Sequence, residues 1–372
     1  MSMEILANKN WNKDVSFDAG AVFENILFFS DNTCNALISY DLTNNTKKYI
    51  CGFPEERNDN QILLHKQCLK YKNDIIFIPN NADNVHIFDV RTSKLKVLPI
   101  EKEKTLNYKF CGGIIINKFL WTFPGNIQQK IIKVNLSNYE ICYKCNFYAA
   151  LNKYVNLKQQ AFWKVCHHEN NVYLALLHTN KIVKYNLEEN KVDVIETDIE
   201  NLDSIYEANG KIYVCTLKGE VYIWDNKKNK INKCKLEYRL EREGSNSIIK
   251  NKNGIVFLVP NYGLEILKKQ INKNTFYASD GLILNKYSIL KGAVNFENYD
   301  TWGDNMVLFP CHGGNLVIVN EQECKEIKST QTVNVTEYKN ARYIAIRSET
   351  QKRTCKEGVP YLLSEYIKAI LD

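Results

Sequence analysis

The chain has 372 residues and a mass of 43.2 kDa, is 45% hydrophobic, 24% charged and 12% aromatic, and carries 49 basic against 42 acidic residues. A chain of this size and composition buries a large core, which excludes a disulfide-stapled mini-protein and global disorder. With 16 Gly and 7 Pro spread over the whole length, collagenous sequence and Pro- or Gly/Ser-rich linkers are excluded too, and no linker marks a domain boundary.

The N-terminal stretch Met1 to Trp11 has no basic region followed by an apolar segment of secretory type. No window approaches the roughly 18 consecutive apolar residues of a membrane span. A cytoplasmic location without a transmembrane segment is expected, and in that compartment the 12 Cys read as reduced, buried small hydrophobes.

From residue 15 onward one phrase recurs: an apolar β-rich strand, a polar loop, a second strand ending in a bulky residue plus Asp or Asn, a turn and a third strand. The clearest copy runs Asp74-Ile-Ile-Phe-Ile-Pro79, Asn80-Asn81-Ala82-Asp83, Val85-His-Ile-Phe-Asp89, Thr92-Ser93-Lys94 and Leu95-Lys-Val-Leu98. Alternation and β-branched or aromatic content make the strands, and the Asn, Asp, Ser and Lys clusters make the turns. The bulky-plus-Asp/Asn step returns at Tyr40-Asp41, Phe88-Asp89, Val134-Asn135, Tyr185-Asn186, Trp224-Asp225 and Val319-Asn320, with a degenerate Leu267-Lys268 in the one gap. The mean spacing is about 46 residues, the period of propeller blades. Pro ends the strand before the loop at Pro79, Pro124, Pro260 and Pro310, where its missing N–H does least harm.

Upstream of each repeat lies another short strand and tight turn, as at Tyr71-Lys72-Asn73-Asp74, Tyr206 to Lys211 and Asp300 to Asn305. Four strands per repeat make an all-β fold, a single β-propeller of about seven four-stranded blades over residues 1–349. The blades are expected near 15–53, 66–100, 110–145, 162–197, 203–236, 246–279 and 296–330. Six or eight blades also fit, because Val333-Asn-Val-Thr336 and Tyr343-Ile-Ala-Ile346 are strand-like and one of them can help close the ring. The segment 271–295 is long enough to carry an insertion. In the tail, 350–372, apolar residues recur at three- and four-residue spacing from Tyr361 to Leu371, which predicts a short amphipathic helix over about 360–371. Such a helix packs on the propeller or docks on a partner or membrane surface.

The segment Gly219-Glu220-Val221-Tyr222-Ile223-Trp224-Asp225 resembles the end of a WD40 blade, and the Tyr-Asp, Phe-Asp and Tyr-Asn steps resemble weaker copies. The resemblance covers roughly residues 15–330. The Gly-His dipeptide usual in WD40 repeats is absent. The Gly-Gly pair that ends the second strand of kelch blades is displaced: Gly112-Gly113 precedes that strand, and only Gly313-Gly314 follows it. The chain therefore resembles a divergent WD40/kelch-like propeller, and what those families imply is a scaffold for protein contacts.

Propeller sites gather on one face, in the loops that join blades and those between second and third strands. Here these loops hold Tyr148, Trp163, Tyr262 and His312, aromatics able to anchor a partner. The expected function is a non-catalytic protein-interaction scaffold that needs no cofactor, with another protein as partner. A second reading is a metal-dependent hydrolase or lyase, with Asp18, Asp203, Glu207, Glu297 and Asp300 ringing the channel as acids for a divalent cation. A third is a carbohydrate-binding propeller. The +7 net charge is nearly all Lys interspersed with Asp, Glu and Asn, without clustered Arg, which disfavours nucleic acid. Cys142-Tyr143-Lys144-Cys145 and Cys166-His167-His168 are the sequence's Cys/His clusters. On a regular strand Cys142 and Cys145 point to opposite faces, which opposes a shared zinc.

Overall fold

The structure, a computed structural model, describes residues 10–14, 17–31, 35–56, 63–100, 108–155, 159–226, 228, 230–240, 242–284, 296, 298–310, 315–327 and 330–334. Seven antiparallel sheets follow one another along the chain, each beginning with its inner strand and ending with its outer one. Their inner strands are Phe17–Phe23, His65–Tyr71, Phe110–Ile116, Cys166–His168, Leu202–Ala208, Arg242–Lys250 and Asn298–Trp302. The blades span 17–51, 65–99, 110–146, 166–196, 202–233, 242–283 and 298–327, within four residues of the expected spans at every boundary. The ring has seven blades. The sixth gains a fifth strand, Lys235–Glu237, which crosses from the fifth blade and pairs parallel with the outer strand Thr275–Ile283.

The Asp/Asn marks have a local cause. Asp41 Oδ1 accepts the N–H groups of Thr43 and Asn44, Asp89 Oδ1 those of Arg91 and Thr92, and Asn186 Oδ1 those of Glu188 and Glu189. Asn135, Asp225 and Asn320 make the same kind of contact. Each side chain closes the turn into the outer strand by satisfying backbone donors that the ladder leaves open. The residue after the mark then donates to the hairpin joining the first two strands, as in Leu42 to Asn25, Val90 to Asn73, Leu136 to Lys118 and Leu187 to Asn170.

No blade owns a core. Strand alternation sends Ile75 and Phe77 against blade one, and Ile76 and Ile78 against blade three. Seven buried clusters result, one at each junction between neighbouring blades, including the junction of blades seven and one, where Phe17 and Phe29 meet Val307, Phe309 and Leu316. A two-stranded ribbon, Asn10–Asp14 with Thr330–Asn334, joins the segment before blade one to the segment after blade seven. The expected closing strand thus includes Val333, paired with Trp11. The second strand-like stretch, 343–346, and the C-terminal helix at 360–371 lie outside the described residues.

Pro79 and Pro124 end their strands and Pro310 follows one directly. Pro260 departs from expectation: it sits inside the strand Val256–Gly263. It is tolerated because it faces Asn246 at a register shift, where the ladder is already broken. No helix among the described residues is long and apolar enough to cross a membrane.

Candidate functional site

Five of the seven inner strands carry a β-bulge near their first residues. The register skips Asp18 and Ala19 in blade one, Lys66 in blade two, Cys111 in blade three, Asp203 in blade five, and Gly244 and Ser245 in blade six. A bulged residue falls between the ladder pairs and its side chain is re-aimed. These positions lie at the starts of five inner strands, next to the loops that join blades, and Cys111 among them is buried between blades three and four. Lys66 is nearly buried and sets its ammonium 3.6 Å from the Trp163 ring centroid. Lys164, in the loop leading into blade four, reaches Asn298 of blade seven at 3.5 Å, and the Asn298 amide donates to the Asp18 carbonyl at 2.7 Å.

The carboxylates expected around the central channel serve its walls. An inner strand is a sheet edge, and its unpaired N–H groups need acceptors. Asp18 Oδ2 accepts the His65 N–H of the next inner strand at 2.6 Å, and Gln67 Oε1 accepts that of Gly113 at 2.8 Å. Asp300 Oδ2 accepts that of Val22 at 2.7 Å while pairing with Lys70 at 2.7 Å. Gly112 and Gly113 have their place in the same close approach: a Cβ on Gly112 would lie 2.7 Å from Gln67 Oε1, and one on Gly113 would lie 2.8 Å from the Trp121 carbonyl oxygen.

Val22, where Asp300 attaches, is four residues below Asp18, about 13 Å along the strand. Asp18 and Asp300 therefore sit at different depths, with Cys68 between them. Burial first, then these two carboxylates, push the Cys68 thiol well above its ordinary value. Asp203 accepts from Ser204 Oγ at the start of its strand, and Glu207 accepts the Gly210 N–H at the other end of the same strand. Glu297 lies outside the described residues. Among those described, no group of three or more His, Cys, Asp or Glu side chains is placed to hold a metal ion.

Sequence reasoning missed a buried chain at the junction of blades one and two. Ser30 Oγ lies 2.9 Å from His65 Nδ1, His65 Nε2 lies 3.1 Å from His86 Nδ1, and His86 Nε2 lies 3.2 Å from the Pro54 carbonyl oxygen. All three side chains are fully buried. The carbonyl can only accept, so His86 Nε2 carries a proton; His86 Nδ1 then accepts from His65 Nε2, and His65 Nδ1 accepts from the Ser30 hydroxyl. One proton per ring satisfies the whole chain with both histidines neutral. Burial is also the main cause that lowers both, His65 well below its usual value and His86 to about 4. A Ser–His pair so enclosed cannot meet a substrate. Two single histidines 21 residues apart in strands give no local signal of this contact.

The aromatic candidates separate. Tyr148 opens a one-turn helix, Tyr148–Leu151, and is 40% exposed; Tyr154, three residues beyond the helix, is 37% exposed. Their loop is fastened from beneath by Phe147, Leu151, Ala161 and Phe162, all buried between blades three and four, and by the Ala161 N–H to Gly125 at 2.7 Å. Trp163 lies in the loop before blade four, against Lys66. Tyr262 falls in the strand Val256–Gly263, opposite Glu243, so it is a strand residue where a loop was expected. His312 lies outside the described residues. Cys142 is exposed and Cys145 half-buried, and Cys166 is buried with its thiol pushed up by burial. His167, beside it, is held below its usual value, mainly by burial.

No protein-family profile matches the chain, and no curated protein sequence does. Its fold is matched by solved structures. A streptogramin B lyase superposes with a TM-score of 0.60 at 12% identity, covering 84% of this chain and 97% of the lyase. YCF48 bound to D1 peptide gives 0.59 at 8% identity, covering 85% and 98%. The extracellular domain of a hybrid two-component system from B. thetaiotaomicron gives 0.56 at 12% identity, covering 88% and 50%. These likenesses show the class of fold, a seven-bladed β-propeller.

Proposed function

We propose that the protein is a non-catalytic scaffold of the cytoplasm that binds another protein through the loop face of its propeller, with Tyr148, Trp163, Tyr262 and His312 as contact residues and no cofactor. The observation that carries this reading is the loop after blade three. It holds Tyr148 and Tyr154 out to solvent on a base of four fully buried side chains, so a partner would meet aromatic surface at little ordering cost. The roles of Asp18 and Asp300 support it from the other side: both carboxylates are committed to backbone donors of the channel wall. The peptide bound to YCF48 is a precedent for protein recognition on this architecture.

The test is affinity capture with the tagged protein and with a variant carrying Tyr148→Ala, Trp163→Ala, Tyr262→Ala and His312→Ala. A stoichiometric protein partner held by the parent and lost by the folded variant is expected. Equal capture by both would sink the assignment. Stoichiometric binding of Ca²⁺, Mg²⁺ or Zn²⁺ by the purified protein would move the function to the channel acids and a metal-dependent hydrolase or lyase.

A further inference from the structure

The chain's positive charge is not spread along it, as its overall composition implies. Residues 109–164, blade three and the loop after it, hold eight of the 49 basic residues and one of the 42 acidic ones, Glu140, which leaves 41 of each in the rest of the chain. The whole net charge of +7 therefore belongs to this one segment, and all eight basic residues are Lys. The segment also holds Tyr143, Tyr148 and Tyr154, each more than a third exposed.

Charge and rings are interleaved. Lys130 sits over Tyr143 at 5.5 Å, Lys133 over Phe119 at 4.2 Å and over Trp121 at 4.7 Å, and Lys153 and Lys181 over Tyr154 at 4.9 and 5.0 Å. The rings hold flexible ammonium groups in place before any partner arrives, which lowers the ordering cost of binding. Lys181 is also engaged by Glu196 at 3.1 Å and Asn180 at 3.0 Å, so the cations offered to a partner are those of blade three and its loop. Lys153 is exposed, and Lys130, Lys133 and Lys144 are half-buried.

We infer that the rim of blade three and its following loop bind a carboxylate-rich segment of a partner protein, an extended acidic stretch with apolar residues that rest against the tyrosines. This rests on the protein-binding reading above and names the chemistry of the partner. Single-stranded nucleic acid fits less well, because it needs open ring faces for base stacking and benefits from Arg for bidentate phosphate contacts. Here two of the three exposed rings already carry an ammonium on a face, and the segment contains no Arg.

The probe is a fluorescein-labelled poly-glutamate peptide containing two phenylalanines, titrated by anisotropy against the intact protein, with oligo(dT) of equal charge in parallel. The expected result is saturable binding of the peptide that weakens with added salt, as the screening length shrinks from about 10 Å at 0.1 M to about 3 Å at 1 M. Reversing Lys130→Glu, Lys144→Glu and Lys153→Glu lowers affinity at least about tenfold, and the Gln versions of the same residues give an intermediate loss. A control of equal net charge, Lys94→Glu, Lys252→Glu and Lys273→Glu, binds as the parent does. Equal losses in control and rim variants, tighter binding of oligo(dT), or no peptide binding at all would each overturn the inference. If the captured partner depends on Tyr148 and Trp163 but stays on the rim charge-reversal variant, the scaffold reading stands and the acidic partner falls.

Discussion

His86 is buried at the end of a chain that is fully satisfied with both rings neutral. Its Nε2 proton goes to the Pro54 carbonyl and its Nδ1 receives the His65 proton, so a second proton would put a charge among Phe53, Phe77 and His65. The facing acid is the buried Glu56 carboxylate, 3.6 Å from Nε2 and itself raised by burial. Because burial lowers its folded value to about 4 while the unfolded value stays near 6.5, the unfolded chain binds more protons between those limits. Stability is therefore full above the unfolded value and is lost as the pH falls from about 6.5 toward 4, and His65, lowered in the same sense, adds to the loss. Unfolding midpoints in urea measured from pH 7.5 down to 4.5 are expected to fall, and His86→Gln should flatten that dependence. An unchanged slope in the variant would show that the acid sensitivity arises elsewhere. Neither histidine announces this role in sequence, since the contact joins the start of an inner strand to the middle of a third strand.

Two devices repeat at the level of the blade: the Asp or Asn that closes the turn into the outer strand, and the bulge at the start of the inner strand. The first was legible because it is local, with donors two and three residues from the acceptor. In blade four, Asn186→Ala removes the acceptor of the Glu188 and Glu189 N–H groups together with the donor to Asn171 Oδ1 and should cost about 1 kcal/mol in urea unfolding, with the Asp replacement, which keeps the acceptor and loses only that donor, costing less. A loss as large in the Asp variant would contradict the turn-closing role. Blade six shows what happens without the device: its mark is Leu267-Lys268, and its outer strand is instead held on both sides, by Glu265–Lys269 and by the added strand Lys235–Glu237. The bulges were not legible. They are seen only when inner and second strands are paired, and they re-aim Asp18, Lys66 and Asp203 at the starts of their inner strands. Reading Asp18 and Asp300 as candidate metal ligands was natural from their positions. Their hydrogen bonds to His65 and Val22 depend on neighbouring blades that no single repeat contains. The aromatic loop was legible at Tyr148, whose exposed place follows from the polar, irregular connection after blade three. Tyr262 was not, because Val256–Gly263 continues past Pro260 through a bulged register.

The ring is the unit of stability, because each blade lends one face to the neighbour before it and the other to the neighbour after it. Opening the ring anywhere exposes a whole cluster, and the junction of blades seven and one is where the two ends of the described repeat meet. Among the described residues it is held by the Phe17 ring against Phe29 and Phe309, the Phe17 N–H to the Pro310 carbonyl, the Asp300 carboxylate accepting from the Val22 N–H, the Trp302 indole N–H to Asn25 Oδ1, and the Asn298 amide to the Asp18 carbonyl. The ribbon Asn10–Asp14 with Thr330–Asn334 fastens the same junction from outside the blades. If it acts as a clasp, deleting residues 1–14 should lower stability by about 2–5 kcal/mol, the net worth of a short ladder of hydrogen bonds. The loss should also be uneven in space. Amide hydrogen exchange should rise most in the inner strands of blades one and seven, and least in blade four, across the ring, where the Cys166–Ala175 hairpin packs between intact neighbours. A uniform rise in exchange around the ring would mean that the blades open together and that the ribbon has no special hold on the junction. An unchanged exchange pattern would mean that the contacts between blades seven and one close the ring unaided.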